Sequence, residues 1–385
     1  MLYHISSYLE MIWGPFRLLR SHATLLAIGT FLAAITVLVL LPKLWHKLPS
    51  DQGKAILGKD GMVSKGKPTG AGFFITLLIL PVILLFVPLS IPFLGVIFFL
   101  YISMLFGYLD DRAKIAWGQL KKGLLDTIVS AGVASCIYLS IAQGTGVYET
   151  ITLWFPLSKE AWLVPWYYYI PIATFILWVS LNSTNCSDGV DGLAGSLSAV
   201  SLASLAIFLY LVIGNMPAAK YLLIPIGGTA ARLAARWAIF LTIIAGGVAG
   251  YLWWNAEPSK VLMGDAGSRF LGLLVGAGVL ATGNPVLILA FAPVVLINGG
   301  MGLVKLILLR VLKKMGFDTR PTNDLPEEDA KKQSPLVKAL FKIRFPLHDH
   351  CKRNLKWSNA QVLMRFMLLQ IFLVPLIFFI LIKIR

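Results

Sequence analysis

Four clusters of polar side chains interrupt an otherwise apolar chain, and each has the residue types of phosphate or sugar chemistry. The first is Asp110-Asp111, followed by Arg112 and Lys114. Adjacent carboxylates repel, so one of them takes up a proton or attracts a cation, which suits a general base or a metal-bound anion. The second sets Asn182, Asn185, Asp188 and Asp191 three residues apart, closing in Asp-Gly turns. Side chains at that spacing share an edge, and amides beside carboxylates read both donors and acceptors of a base or sugar. A cap needs one or two such residues rather than four. The third runs from Asn255 to Leu262-Met263-Gly264-Asp265-Ala266-Gly267-Ser268. Asp265 there is either a helix cap or a hard oxygen ligand for Mg²⁺. The fourth is His348-Asp349-His350 with Cys351. Zinc would need further ligands, so phosphate contact is the better reading. A weaker fifth stretch, Ser64-Lys65-Gly66-Lys67-Pro68-Thr69-Gly70, could cradle a phosphate but lacks the order of a P-loop.

Something must hold these clusters together. The chain has 385 residues, is 57% hydrophobic and only 14% charged. That composition implies a polytopic membrane protein rather than a soluble one. Ten apolar windows are long enough to be helical spans: 23–42, 73–89, 91–108, 124–142, 166–181, 193–213, 233–254, 267–283, 286–310 and 363–384. The stretch 221–230 is read as a loop, and residues 1–20 as an aromatic interfacial segment with no cleavable signal. The expected fold is therefore all-α: one integral-membrane helix bundle of about ten spans, without repeats.

Loops 43–72, 109–123, 182–192, 255–266 and 311–362 hold 22 Lys and Arg, against 7 on the opposite side. The positive-inside rule puts these loops in the cytoplasm and both termini outside. All four acidic or His clusters then share the cytoplasmic face. The net charge of +16 fits loops beside anionic lipid. No basic run alternates with aromatics, so a nucleic-acid partner is not expected. Cys136, Cys186 and Cys351 lack paired spacing, so neither a disulfide framework nor a zinc site follows. A transporter would carry its acids within spans, whereas these lie at span ends.

In this order and spacing the motifs resemble the polyprenyl-phosphate N-acetylhexosamine-1-phosphate transferase superfamily, from about residue 60 to the last span. Asp110-Asp111 with Lys114, Asn185 to Ala194, and Asn255 to Ser268 carry the likeness. The stretch from Pro346-Leu347-His348 to Arg365-Phe366 is similar to the muramoyl branch. Three departures stand out: an acid at Asp349 between two histidines, Leu262 where the family has Phe, and Ser64 where it has Lys.

The resemblance implies Mg²⁺-dependent transfer of phospho-MurNAc-pentapeptide from UDP-MurNAc-pentapeptide to undecaprenyl phosphate, in the bacterial cytoplasmic membrane. The products would be lipid I and UMP. A GlcNAc-1-phosphate transferase is the alternative. Asp110, Asp111, Asp265 and His348 are the expected catalytic residues, with Mg²⁺ on Asp265 and Asp111. Lys114, Lys122, Thr69, Asn182, Asn185, Asp188, Asp191, Asn255, Leu262 and His350 are the expected substrate contacts. Membrane lipids are expected partners, and a homodimer stays open.

Overall fold

The computed structural model describes residues 2–51, 64–113, 115, 117–156, 158, 160–222, 224, 228–320 and 333–383. Lys114, most of the 43–72 loop's basic tip (52–63) and residues 321–332 lie outside the described residues.

The chain is a helical membrane bundle, and a helix occupies each of the ten apolar windows. After α1 (Leu2–Ile12) come α2 (His22–Leu44), α3 (Ala71–Phe86), α4 (Ile91–Arg112) and α5 (Gln119–Thr145). A hairpin, β1 (Thr150–Leu153) and β2 (Trp162–Pro165), precedes α6 (Trp166–Cys186) and α7 (Leu193–Phe208). Then follow α8 (Met216–Tyr221), α9 (Gly228–Asn255), α10 (Gly264–Leu280), a broken helical stretch ending in α11 (Met301–Lys314), α12 (Pro335–Lys342), α13 (Leu347–Arg353) and α14 (Asn359–Lys383). Seven helices among the described residues are long and apolar enough to cross a membrane.

Helix α9 starts at Gly228, ahead of the expected window, because Thr-Ala-Ala-Arg-Leu is less apolar but strongly helix-forming. The long connection after α11 contains two short helices, α12 and α13. At the N-terminus, Tyr8, Met11, Ile12 and Trp13 are exposed beside Arg17 and Arg20, the pattern of an interfacial segment.

Helix α10 is the central post. It packs on α4 and α6 and also touches α3, α5 and α7, and every residue from Ala266 to Leu280 is buried. Glycines make this possible, since small residues let helix backbones approach where no hydrophobic effect drives association. A Cβ on Gly272 would meet the Leu181 backbone at 2.7 Å, and Ser180 Oγ donates to Gly272 O at 2.7 Å. Likewise a Cβ on Gly107 or Gly72 would run into the α10 backbone at Asp265 or Gly267. The hairpin closes the far end of the bundle, where Trp154 Nε1 donates to Thr282 O at 2.9 Å. Trp162, Trp166, Tyr167 and Tyr168 are exposed there, as in an aromatic belt.

Candidate active site

The C-terminal ends of α4 and α6 and the N-terminal ends of α5 and α10 meet at the other end of the bundle. They bring four sequence-distant clusters into one cleft. Helix α4 ends in Asp110 and Asp111, whose side chains diverge. Asp110 pairs with Lys122 of α5 and accepts the Trp117 N–H at 2.8 Å. Asp111 turns to the N-terminus of α10. Its Oδ1 accepts the Asp265 N–H at 3.0 Å and its Oδ2 the Ala266 N–H at 3.1 Å. A helix start offers unpaired N–H groups and a partial positive charge, so it holds a carboxylate well. Gly264 enters this turn at φ 71°, and a Cβ there would strike Asp111 and Gly70.

Asp265 therefore stands in the first turn of α10, anchored through its backbone by Asp111. Its Oδ2 takes Lys122 Nζ at 3.2 Å and Arg269 Nε at 3.4 Å. Burial disfavours the Asp265 charge, but the Arg269 and Lys122 cations outweigh it and hold the carboxyl below the usual carboxylate range. Lys122 thus bridges two carboxylates, Asp110 and Asp265, from helices that are far apart in sequence.

The edge contributed by α6 divides by depth. Asn185 Nδ2 donates to Ser268 Oγ at 3.1 Å, beside Asp265. Asn182 sits one turn deeper and donates to Asp126 Oδ2 at 3.4 Å. Asp188 and Asp191 lie in the turns after Cys186. Asp191 Oδ2 accepts the Ser259 N–H at 3.2 Å and lies 3.6 Å from Lys67 Nζ, which also donates to Ser259 Oγ at 3.0 Å. Asn255 is buried, with its amide committed to backbone: Gly192 N–H donates to Oδ1 at 2.7 Å, and Nδ2 donates to Val261 O at 2.8 Å. It holds the loops around the cleft. Leu262 and Thr69 run side by side, since Leu262 N–H donates to Pro68 O at 2.8 Å and Ala71 N–H to Leu262 O at 3.0 Å. Lys67, Pro68, Ala71 and Gly72 thereby stitch this stretch to the loop before Asp265.

Helix α13 brings His348 in. Its ring is buried against Gly189, where a Cβ would collide with Nε2. Asn298 organises it: Asn298 Oδ1 accepts the His348 N–H at 2.9 Å and lies 3.2 Å from Nδ1, while Asn298 Nδ2 donates to Ser187 Oγ at 2.9 Å. His350 lies further out, with Nδ1 3.4 Å from the Arg344 N–H.

Sequence reasoning missed Asn298, Arg269 and Asp126. A signal for the last two existed. Asp126 is the single carboxylate inside any of the ten apolar windows, and Arg269 lies inside the window it faces. Asn298 gave no such signal, because a lone Asn before Gly299-Gly300 reads as a packing site.

The profile of Glycosyl transferase family 4 matches residues 93–283, the span that carries Asp110 through Asp265. A protein of Treponema pallidum (strain Nichols) is 38% identical over 372 residues, covering 95% of this chain and 92% of that protein. One of Borreliella afzelii (strain PKo) is 29% identical over 358 residues, covering 91% and 93%. One of Brachyspira hyodysenteriae (strain ATCC 49526 / WA1) is 28% identical over 400 residues, covering 96% and 97%. All three bear the name phospho-N-acetylmuramoyl-pentapeptide-transferase. Near-complete coverage at that identity, over a bundle whose separate acidic clusters close on one cleft, places this chain in the phospho-N-acetylmuramoyl-pentapeptide transferase family.

Proposed function

We propose that the chain transfers phospho-MurNAc-pentapeptide from UDP-MurNAc-pentapeptide to undecaprenyl phosphate at the cytoplasmic face of a bacterial inner membrane, releasing UMP and forming lipid I. The observation that carries this reading is Lys122 held between Asp110 and Asp265, with α10's N-terminus and the Asn185–Asp191 edge around it. Phosphoryl transfer needs positioned charge more than covalent machinery, because its transition state spreads charge over oxygens in line. An oxygen of the lipid phosphate attacks the phosphorus bonded to the sugar. The P–O bond to the other phosphorus breaks, and its electron pair leaves with UMP.

Asp110 is ill suited to attack that phosphorus itself. Its carboxylate is buried, Oδ2 is paired with Lys122 and Oδ1 with the Trp117 N–H. This favours direct attack by the lipid phosphate, with Asp110 keeping Lys122 aimed at the diphosphate. Asp188 and Asp191 border the side from which the nucleoside and sugar enter, and His348 lies beside that turn to meet the sugar or diphosphate.

Mg²⁺ suits the donor set. The oxygens are hard carboxylates, and Asp265 already takes a cation, the Lys122 ammonium that it shares with Asp110. Mg²⁺ commonly takes one or two carboxylates plus substrate phosphates, so Asp265 would hold it with Asp111 adjacent. When bound, the ion supplies neutralisation of the diphosphate charge.

The test is UMP release by detergent-purified protein given undecaprenyl phosphate, with and without Mg²⁺. UDP-MurNAc-pentapeptide is expected to be the donor, with UDP-GlcNAc inactive. Release from UDP-GlcNAc alone would move the assignment to the GlcNAc-1-phosphate branch, and no release from either would overturn it.

A further inference from the structure

Below the cleft lies a second ion pair that the transfer chemistry does not touch. Arg269 Nη1 meets Asp126 Oδ1, and the two residues are only 5% and 2% exposed. Asp126 lies one turn after Lys122 on α5, and Arg269 one turn after Asp265 on α10. The facing helices therefore carry opposite charges in opposite order. Lys122 faces Asp265 on the upper rung, and Asp126 faces Arg269 on the lower. Arg269 joins the rungs, because its Nε also reaches Asp265 Oδ2 at 3.4 Å. Asn182 Nδ2 ties down the other Asp126 oxygen from α6 at 3.4 Å.

Burial of such a pair is no aid to stability in itself, since a well-packed apolar pair of similar volume is as good or better. Its geometry has a use, however. A guanidinium is a planar fork, so fixing one branch on Asp126 fixes where the other points. With Lys122 and Arg269 on the same oxygen, the Asp265 carboxylate cannot rotate freely, and the direction of its remaining oxygen is set.

We propose that Asp126 and Arg269 are positioning residues that orient the Asp265 carboxylate toward a divalent cation and the diphosphate, with Asn182 fixing Asp126 in turn. This rests on the transferase reading above for its substrate. Removal of partners that orient a ligand typically costs about 10- to 100-fold in metal affinity or activity.

The test compares Asp126→Leu with Arg269→Leu in one protein, and Arg269→Lys alone, against wild type. The double variant removes a net-zero pair, so neither Asp126 nor Arg269 is left as an unpaired buried charge, and Asp265 keeps Lys122. The Lys variant keeps the pairing charge but loses the fork. Both are expected to keep the wild-type thermal midpoint in detergent. Their kcat for UMP release is expected to fall by roughly 10- to 100-fold, with the donor KM little changed. Mn²⁺ binding, followed by electron paramagnetic resonance on protein without substrate, is expected to weaken by about 10-fold.

Wild-type kcat and Mn²⁺ affinity in the double variant would overturn the proposal and leave the pair as packing. If that variant does not fold, the same wild-type values in Arg269→Lys overturn it equally. If wild-type protein releases no UMP, the transferase reading fails instead, and the Mn²⁺ affinities still decide whether the pair orients Asp265.

Discussion

Asp265 gathers three partners in the cleft: two cations on one side-chain oxygen and Asp111 on its backbone N–H. Asp265→Asn keeps the size but removes the charge. UMP release is expected to fall by about 10²–10³-fold, as when a single preorganised charge or donor is lost, with the Mg²⁺ requirement shifted upward. An assay across Mg²⁺ concentrations reads both, and turnover near wild type would remove Asp265 from the chemistry. Asn298 offers a different case. Asn298→Ala removes the acceptor of the buried His348 N–H and the amide that donates to Ser187 Oγ, at a cost of about 1–3 kcal/mol. Thermal unfolding in detergent should show that loss together with a lower kcat. The acids of the cleft were legible in the sequence because carboxylates at membrane borders are costly and therefore few. Asn298 was not legible, because nothing in its neighbours distinguishes a buried amide that aims a histidine from one that merely packs. Nor did the spacing of Asn182, Asn185, Asp188 and Asp191 reveal their division of labour. Only the depth of each on α6 and its following turns separates Asn182, tied to Asp126, from Asp191 at the rim.

At the level of elements, the cleft depends on how closely α3, α4 and α6 approach α10. Gly107→Val should separate α4 from α10, since the added side chain meets the Asp265 backbone. Overpacking of this kind costs about 1–3 kcal/mol or more. Activity should fall further than stability, because Asp111 reaches α10 only across that contact. Thermal midpoint and kcat measured on the same preparation separate the two effects. Each of the ten windows contains helix, the ninth in several pieces, because hydropathy marks the segments that an apolar medium accepts; seven helices among the described residues are long and apolar enough to cross a membrane. The ends matched less well. Helix α9 starts early at Gly228, and the β1–β2 hairpin gave no hydropathy signal, since strands of four residues are too short to show an alternation. The break at Ala292-Pro293 divides the ninth window, where proline cannot continue the hydrogen-bond ladder.

For the whole molecule, the orientation inferred from basic loops makes a plain prediction. Ile115, 86% exposed, follows α4 at the cleft end, whereas Tyr148, 58% exposed, precedes the hairpin at the other. In a background without Cys136, Cys186 and Cys351, a membrane-impermeant thiol reagent applied outside intact cells should label Tyr148→Cys and spare Ile115→Cys. The reverse pattern would invert the topology and place the cleft away from cytoplasmic nucleotides. The central post has a last consequence. Helix α10 has 17 residues, or about 26 Å at 1.5 Å per residue, against a hydrocarbon layer of about 30 Å. Packed against the longer α4, α5 and α6, it does not have to match the bilayer itself, and its charged tip can sit sunken like the floor of a well. Under the proposed transfer, a lipid headgroup would then react without leaving its own depth, and the water-soluble donor would make the descent.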